Sequence, residues 1–95
     1  MPTIKNIRFQ LGQTVATPGA LDALSKSNET AWSFLVRHLA GDWGDVCLED
    51  REANDEAVKD GSRIFSAYTL KSAEKIWVIT EADRSMTTIL LPSEY

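Results

Sequence analysis

One cysteine and one histidine are all that this 95-residue sequence offers toward thiol or imidazole chemistry. Cys47 has no partner for an intramolecular disulfide, and His38 alone makes no Cys/His set at zinc-ligand spacing. A reducing cytoplasm is the expected setting. No apolar run is long enough to cross a bilayer, and no charged stretch followed by an apolar one opens the N-terminus, so neither a membrane span nor a secretory leader is expected. The five glycines include no phosphate-cradling loop and no nucleophile elbow. Positive charge is scarce as well: 10 Lys and Arg stand against 14 Asp and Glu, for a formal net charge of -4. With no Lys/Arg cluster, direct binding to nucleic acid is not supported. No cofactor is expected. Asp42, Asp45 and Glu49 are the only candidates for a hard cation, and they lack EF-hand spacing, so no metal site is expected either. Nothing in the sequence sets an oligomeric state.

What the chain does have is a strongly β-prone C-terminal third, Ser62 to Tyr95. Three runs follow one another there: SRIFSAYTL, KIWVIT and TTILLP. Lys75 to Thr80 is apolar on both faces of a strand, which places it inside a sheet with Trp77 in the core. Polar connections at 71–74 and 81–85 have hairpin length, so the three runs form an antiparallel meander. Pro92 closes the last strand.

Upstream, the alternation of Ile7, Phe9 and Leu11 predicts a first strand over 4–11. Thr17-Pro18 is a helix start, with Thr as cap and Pro at the first helical position. Leu21 and Leu24 are its expected core contacts, and Ser27 or Asn28 the cap of the next helix. That second helix, 29–40, carries Trp32, Leu35, Val36 and Leu39 at helical spacing, with Gly41 as its stop and Arg37 and His38 set against its dipole. A third helix over 48–60 has only Ala53, Ala57 and Val58 to bury and is expected to lie at the surface. The order is β-α-α-α-β-β-β in a single domain, 1–95. The fold class is α+β, with helices packed on a mostly antiparallel sheet.

Two stretches hold the candidate site residues. Between Asp42 and Asp60 eight carboxylates meet only Arg51 and Lys59, a local net charge of -6, with Trp43 beside them. The loop after the second meander strand offers Asp83 and Arg84. Loops on rigid hairpins commonly carry binding residues, and Arg84 is a fixed cation able to engage a phosphate or carboxylate. His38 is the one side chain with an ordinary pKa near neutrality, so any acid/base role starts there.

The run GDWGD with an acidic segment and an asparagine after it, and then KIWVITEADRSMTTILLPSEY, resembles a family of small, mostly uncharacterised bacterial proteins, often plasmid-related or carried on mobile elements. The resemblance spans Phe9 to Tyr95 and implies no activity. More distantly, helices bearing a histidine followed by a meander with Arg and Thr in its last hairpin are similar to the ribonuclease superfamily of barnase, colicin-type and RelE-type toxins. That likeness implies His38 as acid/base, Arg63 or Arg84 as phosphate holder, and Thr87 or Thr88 as a transition-state contact. The preferred reading is a non-enzymatic accessory or interaction protein that presents an acidic surface to a partner protein, through Asp42, Trp43, Asp45, Glu49, Asp83 and Arg84. The alternative is a ribonuclease-like toxin, or its inactive relative, using His38 and Arg84.

Overall fold

A computed structural model describes residues 7–95. The chain runs β1 (Gln13–Ala16), α1 (Pro18–Ser27), α2 (Ala31–Leu39), α3 (Leu48–Asp60), β2 (Ile64–Thr69), β3 (Lys75–Thr80) and β4 (Met86–Leu90), closing in a 3₁₀ turn over Pro92–Glu94. The fold is α+β, in the element order the sequence predicts. The strands form one sheet, ordered β1-β4-β3-β2. The meander is antiparallel, while β1 joins β4 in parallel, so the sheet is mixed.

The first strand lies later than predicted. Residues 4–6 of the expected strand fall outside the described residues, and Ile7 to Leu11 carry no ladder. Their backbone groups are used elsewhere: Arg8 N–H donates to the Leu39 carbonyl, and the Leu11 carbonyl accepts from the Thr87 hydroxyl. Only after Gly12, at φ +65°, does the chain reach the edge of β4, where Gln13 N–H donates to the Ser85 carbonyl. Of the predicted inward residues Phe9 is buried, while Ile7 is 57% exposed.

The helices cover the sheet face bearing Ser66, Tyr68, Ile76, Val78, Thr80 and Ile89. Thr17 caps α1, accepting from Ala20 N–H at 3.1 Å, and Pro18 occupies the first position. Its buried stripe is Ala20, Ala23, Leu24 and Ser27, and Leu21 points outward. Asn28 ends α1 in the left-handed conformation, and Thr30, rather than Ser27 or Asn28, caps α2. The buried stripe of α2 is Phe34, Leu35, His38 and Leu39; Trp32 is an exposed residue and Val36 is half-buried. The helix is rotated from the expected setting because hydroxyls on the sheet receive the imidazole of His38.

The third helix and both hairpin loops lie where predicted. Gly61, at φ +80°, stops α3. The Leu70–Glu74 connection is closed by Leu70 N–H donating to the Glu74 carbonyl, and the Glu81–Ser85 connection by Glu81 N–H donating to the Met86 carbonyl. On the opposite sheet face the 3₁₀ turn packs against β3, and Ile79 and Leu90 are buried while Phe65 and Thr88 are half-buried. There Trp77, expected in the core, is half-buried, because it sits on the face of the central strand β3 that points away from the helices. The chain end folds onto this face: the Tyr95 ring meets Trp77 edge-on at 5.6 Å, and Glu94 accepts from the Thr17 hydroxyl and Leu91 N–H.

Candidate functional site

His38 lies wholly inside the domain, with no exposed surface. Nδ1 is 2.6 Å from Ser66 Oγ and Nε2 is 2.9 Å from Thr80 Oγ1. Thr80 Oγ1 is in turn 2.7 Å from Thr87 Oγ1, and the Thr87 hydroxyl donates to the Leu11 carbonyl at 2.7 Å. Each hydroxyl has one proton to give. The Thr87 proton is committed to Leu11, so Thr80 donates to Thr87. The Thr80 oxygen then accepts from Nε2–H, and Ser66 donates to Nδ1. The chain of bonds therefore fixes the Nε2–H tautomer of a neutral imidazole. Phe9 and Trp43 pack edge-on against the ring at 5.1 and 5.8 Å. Burial, with a smaller contribution from the nearby Arg84 charge, pushes the His38 pKa down to about 3. Neither the dipole role nor an acid/base role at a surface-bound substrate fits these surroundings: the ring is uncharged, and both nitrogens are occupied.

The other residues of the ribonuclease-like set are dispersed. Thr87 belongs to the sealed network, whereas Thr88 lies on the opposite face of β4. The Arg84 guanidinium, on a residue at φ +60°, is spent on backbone: Nη1 donates to the carbonyls of Ser62, Glu81 and Ala82, and Nη2 donates to that of Ala57. It ties the last hairpin to the end of α3, where a phosphate would have to compete with these backbone carbonyls for Nη1 and Nη2. Arg63 stands on the open sheet face, donating to the Tyr95 hydroxyl at 2.9 Å. Asp83 serves its own turn by accepting from Ser85 N–H and Oγ, and the same bonds hold its pKa below the usual carboxylate range.

The acidic segment is also sorted by the structure. Asp42 pairs with Arg37 at 2.7 Å, which holds its carboxyl below the ordinary range, and its other oxygen accepts from Gly44 N–H. Asp45 accepts from the Thr69 hydroxyl at 2.7 Å. Trp43, expected on display, is 4% exposed and gives its indole N–H to Asp55. It is a core residue, because Gly41 and Gly44 turn the chain so that the indole faces Phe9 and His38. Among the described residues no group of three or more His, Cys, Asp or Glu side chains converges to hold a metal ion, and no helix is long and apolar enough to cross a membrane.

What is left on display is the outer side of α3. Glu49, Asp50, Glu52 and Glu56 are exposed, and none forms an ion pair with another described residue. This helix buries only Asn54 and Ala57. Polar clamps hold it instead. The Asn54 amide accepts from Phe65 N–H at 3.1 Å and donates to the Phe65 carbonyl at 2.6 Å, pairing with the edge of β2 as a strand would. Asp55 receives Trp43, and Arg84 grips the Ala57 carbonyl. Sequence reasoning missed Asn54, Ser66 and Thr80. A usable signal was present, since Ile64-Ser66-Tyr68 and Ile76-Val78-Thr80 share one strand face and so place hydroxyls among core residues. No protein-family model, curated protein or solved structure matches the chain.

Proposed function

We propose that this is a non-enzymatic interaction protein that holds a basic surface of a partner protein against the outer side of α3. Its setting as an accessory protein of a bacterial mobile element rests on the sequence resemblance alone. The observation that carries the reading is the way α3 is held. A helix with so little to bury is ordinarily marginal, yet this one is pinned by Asn54, Asp55 and the Ala57 carbonyl with its carboxylates turned outward. A fixed, predominantly acidic array, with Arg51 and Lys59 as its exposed cations, steers a complementary partner and sets its orientation. A nucleic-acid-binding face on the partner has the complementary chemistry.

The test compares wild type with the triple variant Glu49→Gln, Glu52→Gln, Glu56→Gln, immobilised and exposed to lysate of the source cell. These side chains are exposed and form no ion pair with another described residue, so the variant should melt close to wild type. Wild type is expected to retain a basic protein that elutes as salt rises to about 0.5 M, where surface charges are screened, and the variant to lose most of it. The same proteins retained equally by both would overturn the reading.

A further inference from the structure

We infer that the partner offers a large apolar side chain flanked by basic residues, and that this side chain enters a groove on the open sheet face around Trp77. The inference rests on the α3 reading above and adds a second, apolar half to the same surface. Two clefts meet at Trp77 and Phe65. One, of about 250 Å³, is walled by Phe65, Trp77, Ile79, Tyr95 and Arg63. The other, of about 320 Å³, runs from the same two rings past Pro92 to Asp45 and Asp50. Asp50 stands in the first turn of α3, so the groove opens directly onto the acidic helix.

The rings are set edge-to-face, Phe65 on Trp77 at 5.0 Å and Trp77 on Tyr95 at 5.6 Å, which leaves ring faces and edges for an inserted aromatic or branched side chain. The charges on the walls choose its neighbours. Arg63 is engaged by the Tyr95 hydroxyl and lies 3.8 Å from Glu81, so its charge is answered within the chain. On the α3 side Asp45 and Asp50 face the groove with Lys75 as the one cation. Glu49 beside them adds to the negative field. An apolar residue bracketed by Lys or Arg satisfies both halves, while one bracketed by Asp or Glu meets like charge.

Three synthetic probes separate the two halves: Ac-KRFKR-NH₂, Ac-KRGKR-NH₂ and Ac-EEFEE-NH₂, titrated into ¹⁵N-labelled wild type and followed amide by amide. The basic phenylalanine peptide is expected to move Phe65, Ala67 and the Trp77 indole together with the first turn of α3. The glycine peptide should bind roughly tenfold more weakly and move α3 alone, as removal of a buried aromatic anchor costs at least that much affinity. The acidic peptide should leave the groove unmoved. Equal binding of both basic peptides with shifts confined to α3 overturns the groove and leaves the acidic helix standing. No binding by either basic peptide overturns both. Trp77→Ala should weaken only the phenylalanine peptide, and the wild-type shift map decides the matter even if that variant folds poorly.

Discussion

His38→Ala is expected to destabilise the domain by roughly 4 kcal/mol, on the scale of removing a buried aromatic ring with its partners left unpaired. The ring fills space between Phe9 and Trp43, and its loss strands the Ser66 hydroxyl and the Thr80 oxygen in the core. Urea unfolding gives the number; a loss under about 1 kcal/mol, the range of ordinary surface changes, would mean the imidazole is not a core element. Stability should also depend on pH in a stated direction. The folded-state pKa is depressed to about 3 from the ordinary 6.5. Between those values the unfolded chain binds a proton that the folded one refuses. The stability is therefore fully present above pH 6.5 and is lost as pH falls, by about 2 kcal/mol on reaching pH 5. His38→Gln, which cannot titrate, should flatten that slope whatever its absolute stability.

Gly44→Ala should cost roughly 3 kcal/mol or more, which thermal or urea unfolding will show. Gly44 has φ +76°, and a Cβ there would stand 2.0 Å from the Ala67 carbonyl and 2.7 Å from the Tyr68 ring. At this point the chain lies against the outer edge of β2: Ala67 N–H donates to the Trp43 carbonyl and the Ala67 carbonyl accepts from Asp45 N–H. A methyl group both strains the backbone and pushes this short pairing apart. Gly61→Ala is the control, because Gly61 has φ +80° but nothing within 4 Å of its added Cβ. It should lose only the backbone preference, about 1 kcal/mol. Equal effects at the two sites would show that the close approach at Gly44 is absent.

The parts of the fold legible in the sequence are those set by local pattern. The meander follows from three β-prone runs with polar hairpins between them, and α3 ends at Gly61 because only glycine takes that conformation cheaply. The misplaced first strand has a different origin. The apolar alternation at Phe9 and Leu11 reports burial, but the ladder forms only where β4 is within reach, and that depends on the turn at Gly12. The setting of α2 was hidden for a related reason. The i, i+3, i+4, i+7 spacing from Trp32 defines a stripe that leaves out Phe34 and His38, since helical periodicity cannot know that Ser66 and Thr80 wait on the sheet. Trp43 read as a display residue because a turn-rich, acidic neighbourhood usually lies outside; here two left-handed glycines turn the indole inward. The acidic face of α3 was legible, but the clamps that fix it join residues far apart in sequence. The groove at Trp77 was not legible, because a strand apolar on both faces does not say which face the helices will cover.

The only imidazole of this protein is sealed into its core. A ¹⁵N-labelled sample reports this directly, as a single histidine gives one pair of ring-nitrogen signals. From pH 8 to pH 5 the account predicts a constant Nε2–H tautomer, with Nδ1 unprotonated and accepting a hydrogen bond, and no change in the ring shifts. A titration with its midpoint near 6.5, or a mixture of tautomers, would contradict it.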